Sequence, residues 1–244
     1  MRRVMEVFFL ILILSVVQSL FGVGLLLFGT PLLLFFGYEY SEVLMYLLPA
    51  SISISLSQIR DFRGVELNRN YRKLFLIFCI PVLLLGIFLA TKFDLKFEIR
   101  IFVIGMLLFT FIVRSFSSFR NQLQCLIQKN IPIFLFFMGL VHGLSNMGGS
   151  ILGPVASSLY QDKNKMLASV SLDYAMMASI QFLYLIFFQG MNIKSHHLIG
   201  VVIALLVRHF LGKKVFHFTS ERNYQRLFNG FILMNALVLG AGVL

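Results

Sequence analysis

The sequence predicts an all-α polytopic membrane protein made of two related halves. Three observations carry that prediction. The chain has too little charge for a soluble protein, its eight hydrophobic segments are separated by short charged loops, and each half holds a glycine- and proline-rich interruption. Only 13% of the 244 residues are charged, whereas a soluble domain carries roughly 25%. A chain this apolar belongs in a bilayer. At about 20 residues per span, its length allows roughly seven to ten passages and no separate soluble domain.

The first segment, residues 4–37, is apolar but interrupted by Gly22, Gly24, Gly29, Thr30 and Pro31. It reads as a retained span, because Val17-Gln18-Ser19 makes a poor signal-cleavage site and the apolar run continues past it. Segments follow at about 43–59, 74–91 and 101–113. The loop between the second and third carries Arg60, Arg63, Arg69, Arg72 and Lys73, which marks it as cytoplasmic. The second half begins with a long broken segment, 131–160, and continues with 166–189, 198–211 and 227–243. The formal net charge of +11 sits in these loops, where it serves orientation and lipid contact rather than nucleic-acid binding. Arg114 and Arg208 close apolar runs and are expected to snorkel to headgroups. Cys79 and Cys125 stand in different segments, in no metal-ligand spacing.

The interruptions are the informative part. Glycine costs about 1 kcal/mol and proline about 3 kcal/mol per helical position. A proline also frees a carbonyl one turn earlier. In hydrocarbon such groups persist only where protein or a water-filled cavity covers them, as at the broken helices of secondary transporters. Gly22, Gly24 and Pro31 in one half, with Gly153 and Pro154 in the other, are therefore expected as helix-breaking residues.

The halves, 1–130 and 131–244, read as repeats. Pro31 and Pro154 stand 123 positions apart, and so do Gln58 and Gln181. Leu85-Gly86 and Leu211-Gly212 correspond at a slightly larger offset. The strongly basic loop follows the second segment of the first half but the third segment of the second half, which favours an inverted repeat over a parallel one. Inversion requires 131–160 to enter and leave by one face. About 30 residues at 1.5 Å each suit a re-entrant pair of half-helices.

The stretches Gly22-Val23-Gly24-Leu25-Leu26-Leu27-Phe28-Gly29-Thr30-Pro31 and Gly143-Leu144-Ser145-Asn146-Met147-Gly148-Gly149-Ser150-Ile151-Leu152-Gly153-Pro154 resemble those of the sulfite exporter TauE/SafE family. The first departs from that family's usual glycine triplet at Leu25 and Leu26. The resemblance implies a multi-pass permease of the bacterial inner membrane that moves small sulfur-containing anions, such as sulfite or sulfonates.

Candidate substrate-binding residues are Asn146, Gly148, Gly149, Ser150, Gln58, Gln181, Gly29 and Thr30. Backbone N–H groups around Gly148–Ser150 and the amides of Asn146, Gln58 and Gln181 would replace an anion's hydration; helix packing is the plainer reading of the glycines. His142 is either an interhelical hydrogen-bonding residue or a proton carrier. Asp173, the acid most clearly embedded in a segment, is either a proton- or cation-coupling group or an interfacial partner of Lys165. Of Ser51, Ser53, Ser55 and Ser57, only part can face one pathway.

No nucleophile elbow, metal cluster or phosphate loop is present, so neither an enzyme nor a cofactor is expected; a hydrolase using Ser145 and His142 is the weak alternative. The expected partners are a small anion, membrane lipid, a proton or cation as coupling ion, and a second copy of the chain in a homo-oligomer. A membrane scaffold and a passive anion channel are the alternative functions.

Overall fold

The computed structural model describes residues 2–93, 117–160 and 162–218, with residues 105 and 108 besides. The expected segment at 227–243, Arg114 and nearly all of 101–113 lie outside the described residues. Every regular element among the described residues is helical. In chain order these are α1 (Arg2–Phe21), α2 (Leu25–Phe35), α3 (Tyr40–Asp61), α4 (Arg69–Lys92), α5 (Ser117–Lys129), α6 (Ile131–Ser145), α7 (Gly149–Leu159), α8 (Lys163–Phe188) and α9 (Ser195–Val207). A π-helical turn (Arg208–Gly212) carries α9 on into Lys213–Phe218, and α4 contains a similar turn at Phe75–Cys79.

Four of these helices are long and apolar enough to cross a bilayer: Val4–Phe21, Tyr40–Asp61, Arg69–Lys92 and Asn164–Phe188. Their starts follow local chemistry. The Asn68 side chain accepts from Tyr71 N–H (3.1 Å) at the start of α4, and Asp162 accepts from Lys165 N–H (2.8 Å) at the start of α8. Each satisfies one donor that the first turn leaves open. Pro132 stands in the first turn of α6, where its missing N–H removes no helical bond. Residues 122–129 of α5 meet α6 at a 100° bend.

The segment 4–37 is two helices rather than one, and 131–160 divides in the same way. α1 and α2 are separated by Gly22–Gly24, where Gly22 has φ +76°. Among the described residues Asn146 is the one non-glycine with positive φ (63°), and it ends α6 before α7 begins at Gly149. The breaks therefore do not lie at the prolines. Pro31, Gly153 and Pro154 are helical, inside α2 and α7. A proline already has a helical φ and removes one hydrogen bond, whereas a left-handed residue turns the chain out of the helix.

The hairpins are rooted at different ends of the bundle. Gln128 at the foot of α6 donates to the Ser158 carbonyl at the end of α7 (2.6 Å). Tyr160 then accepts from Asn68 N–H (2.8 Å), at the end where α4 begins. α1 and α2 instead start and finish where α3 and α9 begin. Ile11 lies against Gly200, and Tyr46 packs on His196 and His197 with ring centroids 5.2 and 5.1 Å away. α3 and α8 run antiparallel through the centre, with Gln58 late in α3 accepting from Ser171 early in α8 (3.2 Å).

Each hairpin's first helix packs on the last described long helix of the other half. α6 lies on α4, and α1 lies on α9. Glycines set both distances. A Cβ on Gly139 would strike the Cys79 carbonyl, and one on Gly143 would strike the Leu83 carbonyl. On the other pair, a Cβ on Gly212 would strike the Ser19 side chain. In lipid, helices associate through such close packing rather than through a hydrophobic drive, so small residues carry the interface.

Candidate functional site

The two breaks meet inside the bundle. Asn146 Nδ2, at the second break, donates to Thr30 Oγ1 in α2 at 3.1 Å, and both side chains are fully buried. Gly149, the first residue of α7, faces Val23 of the first break and the ring of Tyr174.

The first break is closed by its own polar side chains. Gln18 Nε2 donates to the Ser51 carbonyl (2.9 Å) and to Ser55 Oγ (3.1 Å). Its Oε1 accepts from Leu25 N–H and from the Ser51 hydroxyl, both at 3.2 Å. Gln58 Nε2 donates to the carbonyls of Gln18 (3.1 Å) and Ser19 (3.2 Å) at the end of α1, the first of which also accepts from Gly22 N–H (2.8 Å). The first turn of α2 keeps open donors. The Tyr174 hydroxyl lies against the N–H groups of Gly24, Leu26 and Leu27, without a well-aligned hydrogen bond to any of them.

The second break repeats one part of this plan and omits another. Gln181 Nε2 donates to the His142 carbonyl (3.0 Å), which also accepts from Asn146 N–H (2.9 Å). Ser19 and His142, like Gln58 and Gln181, stand 123 positions apart. Nothing equivalent to Gln18 follows. Both ring nitrogens of His142, Asn146 Oδ1, Gln181 Oε1 and the Tyr174 hydroxyl are buried without a hydrogen-bond partner. The rings of His142 and Tyr174 stand edge to face at 5.7 Å, and the Gln181 amide lies beside the imidazole.

The remaining candidates fall as follows. Gly148 is where the His142 side chain packs, its Cβ 2.5 Å and its Nδ1 2.8 Å from a notional Cβ. Ser150 Oγ donates to the Met147 carbonyl (2.6 Å), and the N–H groups of Ser150 and Ile151 are turned onto the carbonyls of Met147 and Gly148. Gly29 packs on Leu47 of α3. Of the alternating serines Ser51, Ser53, Ser55 and Ser57, Ser51 and Ser55 join the Gln18 network while Ser53 bonds its own helix. Asp173 is 1% exposed, accepts from Tyr71 (2.8 Å) and lies 3.5 Å from Ser169. Its partners are thus on α4 and α8 rather than Lys165, whose backbone N–H is capped by Asp162. Ser145 Oγ bonds the Val141 carbonyl (2.8 Å), not His142.

Arg208 corrects the snorkelling expectation. It is 3% exposed, donates to Asp61 at 2.7 Å and to the Ser19 carbonyl at 2.9 Å, and so ties α9 to the end of α3 and to the first break. Arg208 opens the π-helical turn, and the acid that holds it inward, Asp61, lies 147 positions away, out of reach of any periodicity. Gln18 and Tyr174 were also missed. A lone glutamine in an apolar run was the signal for the first; nothing in the sequence distinguished the second. A polar pocket of about 280 Å³, lined by Glu42, Tyr46, Asn192, Lys194, His196 and His197, opens at the end where α3 and α9 begin. A second cleft, about 410 Å³ between α5, α6 and α7, is almost wholly apolar and suits acyl chains rather than an anion.

No curated protein and no solved structure matches the chain. A family model described as sulfite exporter TauE/SafE matches residues 7–239, nearly the whole length. Long apolar helices, two broken hairpins and that match agree, and the chain belongs to the sulfite exporter TauE/SafE family.

Proposed function

We propose that this chain is a secondary transporter of a small sulfur-containing anion, sulfite or a sulfonate, in the bacterial inner membrane. Its halves, 1–130 and 131–244, act as inverted repeats. Hairpins rooted at opposite ends, antiparallel α3 and α8, and the matched Gln58–Ser19 and Gln181–His142 bonds support the inversion. The anion sits where the breaks meet. Its oxygens take the N–H groups of Leu26 and Leu27 in the first turn of α2, with the Tyr174 hydroxyl as a further donor. A half-helix N-terminus favours negative charge through both its dipole and its open donors.

One observation carries the reading: the His142 imidazole and the Tyr174 hydroxyl, groups that can donate to an anion, are buried without a partner where the breaks meet. Each such atom left empty costs about 1–3 kcal/mol. A fold keeps that arrangement where a passing solute supplies the partners. The polar pocket beside Lys194 and His196 is the approach, and the Arg208–Asp61 pair closes the opposite end until the halves rock. His142 and Asp173 are the residues through which a proton gradient would couple.

Flux into proteoliposomes, with sulfite, sulfonates and chloride and with or without an ion gradient, tests this. Saturable movement of the sulfur anion is expected. Currents that never saturate would make the protein a channel, and no movement under any gradient would make it a scaffold.

A further inference from the structure

The two breaks offer opposite chemistry. Beside the α2 terminus stand N–H donors. At the second break, the free atoms of the two amides are oxygens. Asn146 has committed its NH2 to Thr30, and Gln181 has committed its NH2 to the His142 carbonyl. Asn146 Oδ1 and Gln181 Oε1 remain, fully buried and unpartnered. The two residues are neighbours, since the Asn146 backbone N–H and Gln181 Nε2 reach one oxygen, the His142 carbonyl, at 2.9 and 3.0 Å. On either side of the break, the Ser145 and Ser150 hydroxyls direct their protons onto the carbonyls of Val141 and Met147, leaving lone pairs.

We propose that the second break binds a monovalent cation, Na⁺, held by the neutral oxygens of Asn146 and Gln181. This inference rests on the transport reading above and assigns its coupling to Na⁺ in place of a proton carried by His142 and Asp173. An anion is poorly served by carbonyl oxygens. Oxygen ligands suit a hard cation, and the absence of a carboxylate from this set favours a single charge. The buried acid Asp173 accepts instead from Tyr71 on α4 and Ser169 on α8. A cation here and an anion at the start of α2 lie on either side of Tyr174, so each offsets the other's burial. By linkage, binding either one raises the affinity for the other by the same factor.

The test uses the purified full chain in detergent, with ²²Na⁺ binding by scintillation proximity and melting temperature in NaCl against KCl and choline chloride. Saturable Na⁺ binding is expected, strengthened by sulfite. Asn146→Ala and Gln181→Ala should each weaken it about tenfold or more, while Cys125→Ser, on an exposed position, should not. Gln181→Glu, which keeps an acceptor and adds charge, should bind Na⁺ at least as tightly as the parent, and serves if an alanine variant fails to fold. Absence of Na⁺ binding, or unchanged affinity in the alanine variants, overturns the proposal and leaves water as the occupant. Anion flux that runs equally well in choline also overturns it while sparing the transport reading. Na⁺ binding by these residues without anion flux upholds the site and removes the transport reading instead.

Discussion

The two helix breaks solve one problem in different ways. At the first, hydrogen bonds hold the unwound chain: Gln18 reaches α3 and the start of α2, and Gln58 reaches back to the end of α1. Polar side chains are spent in making the structure. At the second, close packing holds it, with Gly139 and Gly143 seating α6 directly on the backbone of α4. That leaves His142, Asn146 and Gln181 atoms uncommitted. A break held by packing can present side-chain atoms to a solute; a break held by hydrogen bonds keeps chiefly the backbone donors at the start of α2.

Substitutions can break this comparison. The largest effect is expected at Gly139→Ala, whose methyl group would enter the Cys79 carbonyl. Neither backbone can yield cheaply, so a loss of about 3 kcal/mol is expected, at the upper end of ordinary overpacking. It should appear as a lower melting temperature in detergent. Asp61→Asn should cost nearly as much, about 3 kcal/mol, because it leaves the buried Arg208 without its counter-charge. Gln18→Ala follows at about 2 kcal/mol, since Leu25 N–H and the serine hydroxyls of α3 lose their partner.

Gln181→Ala removes one bond to the His142 carbonyl and should cost about 1 kcal/mol of stability, yet it should abolish flux. An intact melting temperature with lost transport separates its role from that of Gln18. The smallest change belongs to Lys213→Gln. Lys213 also pairs with Asp61 but is 40% exposed, so less than about 1 kcal/mol is expected in the same melts. A larger loss would mean that Arg208 alone does not hold that end of the bundle.

Much of this was legible in the residues. Hydropathy located the long helices, and the glycine-rich stretches located both interruptions, because those signals are local. The prolines mislead because cost is not φ: Asn146, of a residue type that enters left-handed backbone more readily than most, makes the turn that Pro154 does not. Repeat spacing found Gln58 and Gln181 but could not say which atoms they would spend, since that depends on carbonyls 40 and 39 positions away. Tyr174 and the Arg208–Asp61 pair arise from helices brought together only by the fold. No pattern along one segment encodes them.

Saturable uptake of a labelled sulfonate into proteoliposomes, measured for the parent chain and Asn146→Ala after both show the same melting temperature, tests the central claim most directly. Uptake should disappear in the variant. Uptake at the parent's rate and saturation would contradict the account, because the buried oxygens at the second break would then serve no solute.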